Sequence, residues 1–298
     1  MASVVFIINR RCVRDVPQLR RDFGAAAAAA GWQASFRETS AGDAGLGPAT
    51  DAVSAGADLV VAAGGDGTVA ACAEALTGTN VPLAIVPLGT ANLAARSLGV
   101  PMRAADALAT AFGGVNRRID VADADGLTCL VMAGMGLDAD VVGATPHTLK
   151  DLMGWTAYAA TGMVHVVISG HLFRRGHAFT IRMDDDEPVT LRARSVVAGN
   201  SGLLPGGFVL LPGAQPDDGQ LEVGILSPVS PLDWLRFAYH VLAHDHQEGP
   251  HLVRHRAQRI EIRADTVLSR QADGEMLPAG DSLTVTLAPA ALTVRVPM

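Results

Sequence analysis

The chain has 298 residues, 49% of them apolar and 18% charged, with a formal net charge of −7. That length and apolar content exclude a disordered polypeptide and allow two domains around a sizeable core. The acidic balance argues against a broad phosphate-neutralising face, so no nucleic-acid partner is expected.

The first third alternates strand and helix. The opening "MASVVFIINRR" places its arginines after a short apolar run, which reads as a strand and not as a signal peptide. "SVVFII" is a continuous apolar run of the kind buried on both faces of a parallel sheet. A helix follows over "PQLRRDFGAAAAAAG", with Pro17 at its start and Gly31 as its stop. "WQASFRET" reads as a strand, "DAVSAGA" as a short helix and "DLVVAA" as a third strand. After the turn "GGDGT", a helix is expected over "VAACAEALTG", then a strand over "PLAIVPLG" and a helix over "ANLAARSLG". This order predicts a doubly wound α/β sheet whose ligands sit beyond the carboxyl ends of the strands. The three cysteines, Cys12, Cys72 and Cys129, form no CxxC pair, so a reduced cytoplasmic chain with neither disulfide nor zinc site is expected.

Near residue 120 the hydrophobic period changes. Short alternating runs such as "HAFTIRMDD", "VTLRARSVVAGN", "QLEVGIL", "RIEIRA" and "SLTVTLAP" follow, separated by Asp-, Gly- and Pro-rich turns. A β-rich antiparallel sandwich is expected, with helices over 152–173 and over "PLDWLRFAYHVLAH". The first of these approaches the length of a membrane span. Its two histidines, three glycines and Ser169-Gly170 break favour a buried or interfacial helix. The domains are therefore placed at 1–120 and 121–286, with 287–298 packing back on the first. His244, His246, His251 and His255, with Arg254, Arg256 and Arg259, read as a solvated helix end or loop that could meet anionic head groups.

Glycines let backbone N–H groups approach phosphate oxygens without a Cβ in the way. A lone GGxG turn is most simply a strand-to-helix connection in which Asp66 caps the helix. Here a second glycine turn, "PLGTANLAARSLGVP", repeats the design one βα unit later, which favours a nucleotide site. It matches neither the dinucleotide fingerprint nor a Walker loop.

"GGDGTV" followed by "PLGTANLAARSLGVP" resembles the diacylglycerol kinase catalytic-domain family, which includes soluble bacterial lipid kinases and sphingosine kinases. "RRIDVADADGLTCLVMAGMGLDADVV", "AGNSGLLPGGFVLLPGAQPDDGQLEVGIL" and "RQADGEMLPAGDSLTVTLAPAALTVRVP" extend the resemblance over nearly the whole chain. It implies a fold like that of NAD kinases and phosphofructokinases, and an ATP- and magnesium-dependent kinase acting on a lipid hydroxyl. By the same resemblance Asn9, Thr39, Gly64, Gly65, Asp66, Gly67, Thr68 and Thr90 would contact ATP. Glu275 would be the catalytic carboxylate, assisted by Asp66 and Asp120. Asp218 would hold a structural magnesium with the carbonyls of Gln215 and Gln220. The implied partners are a lipid substrate and a transient peripheral membrane contact, with a homodimer as an open assembly. An NAD-kinase-like enzyme with a soluble substrate and a catalytically weak lipid-binding regulator are the alternatives. The chain departs from the family at "INRRCVRDV", where arginines replace a glycine-bearing loop, at Leu93-Ala94, where many members carry Asp-Phe, and in "GLLPGG".

Overall fold

The computed structural model describes residues 1–136, 139, 176–203, 209–228, 230, 232–233, 236 and 252–298. The helix expected over 152–173 lies outside the described residues, as do His244, His246, His251 and nearly all of "PLDWLRFAYHVLAH". The chain divides into two units, Met1–Val121 with Pro289–Met298, and Ala122–Ala288. Among the described residues no helix is long and apolar enough to cross a membrane.

The first unit is a parallel sheet with helices between its strands. β1 (Ser3–Ile8), β2 (Gln33–Glu38), β3 (Leu59–Gly64) and β4 (Leu83–Pro87) stand in the order β4-β3-β1-β2. Near the end of the last strand of the chain, Val294 pairs parallel to Leu83 and extends this sheet. β1, β3 and β4 are continuous apolar runs because both of their faces are covered. α1 (Val16–Ala29) starts where the Asp15 carboxylate accepts from the Gln18 N–H, and its Phe23 packs 5.0 Å from the Phe6 ring. Gly31, at φ 80°, ends the turn that follows it.

Two helix starts differ from expectation. α2 (Leu46–Ser54) begins several residues early because the Asp43 carboxylate accepts from the N–H groups of Gly45 and Gly47. α3 (Asp66–Leu76) begins inside the glycine turn, so Asp66, Gly67 and Thr68 form its first turn. Gly65, not Asp66, is its cap residue. α4 (Leu93–Ser97) and α5 (Ala104–Gly113) complete the helices of this unit.

The second unit is antiparallel. β5 (Val115–Ala124) enters it and turns into β6 (Leu127–Cys129) through Asp125-Gly126, both residues having positive φ. β7 (Met132–Gly136), β8 (His177–Met183), β9 (Val189–Ala193), β10 (Ser195–Gly199) and β11 (Leu221–Leu226) follow. β12 (Leu252–Ala257), β13 (Arg259–Ala272) and β14 (Glu275–Val296) close the chain. One path runs β12-β11-β10-β7-β13-β14. The first half of β13 also pairs with β8, which pairs with β9. Irregular register between Arg263 and Arg270 lets β13 serve both sets of neighbours. Met135, Phe179, Ile181, Val196, Val223, Ile260 and Val285 are among its core side chains.

The histidine- and arginine-bearing segment is corrected here. Arg254, His255 and Arg256 lie on β12, paired to Gly224, Val223 and Glu222 of β11, and Arg259 opens β13. Polar side chains suit β12 because it ends the strand path, and charged residues on such an edge discourage further pairing.

Candidate functional site

In the order β4-β3-β1-β2 the chain adds β2 on one side of β1 and β3 and β4 on the other, which makes the carboxyl ends of β1 and β3 the switch point of the sheet. Asn9 leaves β1 there. Its backbone N–H donates to the Ala63 carbonyl at 2.9 Å, and its Nδ2 donates to Thr68 Oγ1 at 3.0 Å. Asn9 Oδ1 accepts from the Arg11 N–H and so starts the short 3₁₀ turn Arg10–Cys12. One amide side chain therefore joins the exit of β1 to the first turn of α3. Thr39, beyond β2, donates its N–H to the Ile8 carbonyl at 3.0 Å and lies on the same strand-end edge.

The two glycine turns lock together. The Leu88 N–H donates to the Gly64 carbonyl at 2.9 Å. A Cβ placed on Gly89 would lie 2.5 Å from Gly65 Cα, and one placed on Gly64 would lie 2.7 Å from Thr68 Cβ. Asn92 closes the second turn from within. It is buried, adopts φ 48°, donates from Nδ2 to the Gly89 carbonyl at 2.7 Å and accepts at Oδ1 from the Gly89 N–H at 3.0 Å. Asp66 Oδ1 accepts from the Ala94 N–H at 3.3 Å and ties α3 to the start of α4. Asp66 is half-buried, Thr68 buried and Thr90 exposed. The N–H groups that open a helix mostly lack acceptors within it; the Thr68 N–H donates to the Gly65 carbonyl at 3.0 Å, and the N–H groups ahead of it at the head of α3 suit an anion.

Asp120 is 1% exposed, and its Oδ1 accepts from the Ala290 N–H at 2.7 Å. The Arg118 guanidinium donates to the Ala290 carbonyl at 3.1 Å. Together they fix the returning end of β14 in the first unit.

In the second unit, Glu275 stands at the first position of β14, exposed and paired to Ala272. Asp273 (φ 48°) and Gly274 (φ 81°) join the two strands, and two successive positive φ angles define a type I′ hairpin turn. The tight turn expected before Glu275 is present.

The acidic loop holds an ion pair that local sequence does not announce. Asp218 Oδ1 accepts from the Gln220 N–H at 3.1 Å, and Oδ2 lies 3.4 Å from Arg256 Nη1. The other end of that guanidinium donates to the Gly213 carbonyl at 3.2 Å. Magnesium takes a near-octahedral shell of oxygens, several of them water. Here Arg256 already bridges the carboxylate to a backbone carbonyl. Among the described residues no group of three or more His, Cys, Asp or Glu side chains is assembled for a metal. In this structure the carboxylate that the resemblance assigns to magnesium is paired with Arg256. No local pattern announces this pairing, because the arginine belongs to a strand 38 residues further on.

A parallel α/β unit followed by a β-rich unit is an organisation that this chain shares with the diacylglycerol kinase and NAD kinase folds. The diacylglycerol kinase catalytic domain matches residues 3–124, and the YegS C-terminal NAD kinase beta sandwich-like domain matches residues 131–296. A Pseudomonas fluorescens protein named "Probable lipid kinase YegS-like" is 35% identical over 274 residues, covering 90% of this chain and 87% of its own. A Pseudomonas aeruginosa protein of the same name is 35% identical over 250 residues, covering 83% and 79%. Two solved chains from Bacillus anthracis, the first described as "a putative diacylglycerol kinase" and the second as a diacylglycerol kinase, share the fold with TM-scores of 0.80 and 0.75 at 21% identity. Each alignment covers 99% of this chain and 96% of the solved one. The chain belongs to the YegS-like lipid kinase family, within the diacylglycerol kinase catalytic-domain group, and both the fold class and the kinase assignment expected from sequence hold.

Proposed function

We propose that this chain transfers the γ-phosphate of ATP to the hydroxyl of a diacylglycerol-like or sphingoid lipid. The observation that carries the reading is the pair of interlocked glycine turns at the β1/β3 switch point, in a member of this family. Backbone N–H groups at Gly64, Gly65 and Gly67 would meet phosphate oxygens, with Thr68 and Thr90 as hydroxyl donors and Asn9 and Thr39 at the flanks. ATP enters as its magnesium complex, and the metal offsets charge on the phosphates. Asp66 stands at the head of α3, where it would orient that complex. Asp120, tied to Ala290, would support the second acid position from the returning strand.

Glu275 would accept the proton of the lipid hydroxyl as its oxygen attacks the γ-phosphorus and ADP departs. A positioned carboxylate base contributes roughly 10²–10⁴-fold. A lipid acceptor calls for contact with a bilayer surface, which we read as peripheral and transient.

The test is transfer of labelled γ-phosphate from ATP to vesicles of total bacterial lipid extract, with NAD as a separate acceptor. Labelled phospholipid with wild type and a steep loss with Glu275→Gln are expected, with ATP binding kept. Label on NAD alone, or Glu275→Gln at wild-type rate, overturns the reading.

A further inference from the structure

We infer that Asp273 is a positioning residue that aims Glu275; the inference rests on the proposed role of Glu275 as base. The Asp273 carboxylate gathers four donors from one short segment. Oδ2 accepts from the Leu130 N–H at 2.7 Å, and Oδ1 accepts from the N–H groups of Val131 and Met132, each at 2.9 Å. The Cys129 thiol completes the set, donating to Oδ1 at 3.1 Å.

The clamp is reciprocal. The Asp273 N–H donates to the Met132 carbonyl at 2.9 Å, and the Gly274 N–H donates to Oε1 of buried Gln271 at 3.0 Å. The segment that receives the carboxylate is itself held from its other side. The Asn200 and Ser201 N–H groups donate to the Val131 carbonyl at 2.8 and 2.9 Å, and Asn200 Nδ2 donates to the Leu130 carbonyl at 3.3 Å. Burial of the Asp273 carboxyl pushes its pKa up, and these donors pull against that push. A carboxylate bonded to several N–H groups makes charge-assisted bonds roughly twice as strong as neutral ones.

A hairpin turn alone does not need this. Asn adopts the left-handed conformation of a type I′ turn as readily as Asp. An amide at this position, however, would turn an NH₂ group toward a donor and could not accept from all four. The carboxylate is therefore specific to the clamp and not to the turn. Two residues later the chain reaches Glu275 on an exposed strand start, so tilt of the turn displaces the base. A displacement near 1 Å costs about 100-fold in rate for a positioned group.

The experiment is a double-mutant cycle on Asp273→Asn and Glu275→Gln, read as label transfer from ATP to vesicles of total bacterial lipid extract. Asp273→Asn should lower kcat roughly 100-fold while the ATP KM stays within about 3-fold, because the lost interaction acts on the base. The two changes together should be no slower than Glu275→Gln alone, since one acts through the other. Amide exchange at Leu130, Val131 and Met132 should accelerate in Asp273→Asn.

Additive losses, or an unchanged kcat in Asp273→Asn, overturn the inference and leave the Glu275 base reading in place. A wild-type rate in Glu275→Gln alone removes the base reading itself. If Asp273→Asn does not fold, Cys129→Ala and Cys129→Ser decide. The alanine should lower kcat and the serine, which keeps a donor, should restore it. Equal rates in these two variants and wild type overturn the inference.

Discussion

Gly65 and Gly89 face each other at a contact that leaves no room for a side chain on Gly89: a Cβ there would stand 2.5 Å from Gly65 Cα, whereas one on Gly65 would stand 3.3 Å from Gly89 Cα. The contact is asymmetric, and its asymmetry is testable. Gly89→Ala must push two backbones apart, an overpacking cost of about 1–3 kcal/mol. Gly65→Ala needs only a few tenths of an ångström. Calorimetric titration with ATP should find affinity reduced at least tenfold in Gly89→Ala and much less in Gly65→Ala, with both proteins folded. Equal affinities would remove the interlocked turns from the nucleotide site.

Asn9 and Thr68 offer a second test at the same edge. Their side chains meet at 3.0 Å, and Thr68 is buried against Gly64. Thr68→Val keeps the shape and deletes the acceptor, which strands the Asn9 amide. The expected loss is about 1 kcal/mol in urea unfolding. Asn9→Ala, paired with Thr68→Val, should cost less than the sum of the single changes. Additive losses would mean that the bond does not link β1 to α3.

The alternation of strands with helices and the two glycine turns are legible in the sequence because they are local. β1, β3 and β4 are unbroken apolar runs, and glycine turns follow β3 and β4. The start of α3 was placed three residues late, because glycines disfavour helix and hide a first turn that tertiary contacts impose. Asn92 is visible as a letter, but its two hydrogen bonds to Gly89 depend on the left-handed backbone. β12 was read as loop or helix end because its alternation is carried by Arg and His, the residues an edge strand tolerates. The clamp on Asp273 joins residues 141 to 144 positions apart, and no local pattern announces such a contact.

Arg256 in the Asp218 loop predicts how this protein responds to metal. Without nucleotide, the melting temperature of wild type should be the same in magnesium and in chelator. Asp218→Ala should lower it in both, by an amount that corresponds to about 1 kcal/mol or less, since the pair is partly exposed. Arg256→Ala should create a magnesium-dependent rise that wild type lacks, because it frees the carboxylate and the Gly213 carbonyl. A magnesium-dependent rise in wild type that disappears in Asp218→Ala would show that the ion displaces the arginine.

Glu222 sets a pH dependence whose sign follows from its surroundings. Its side chain is 6% exposed and lies 3.6 Å from Arg254, and among the described residues Oε2 has no hydrogen-bond partner. Burial pushes the carboxyl above its usual 4.5, while Arg254 and the N–H groups of Gly213 and Ala214 offset only part of that push. The folded state therefore holds this proton more tightly than the unfolded chain. Stability must fall as pH rises from 4.5 through the folded value, and level off above it. Glu222→Gln removes the titration and keeps the shape. Urea unfolding of both proteins at several pH values should show the wild type losing stability relative to the variant across that window. The offset left by removing a partner of Arg254 is constant with pH and does not affect the slope. Parallel curves for the two proteins would mean that Arg254 and the loop N–H groups fully compensate the burial. A wild type that gains stability with rising pH would mean that Arg254 dominates and holds the carboxyl below its usual value.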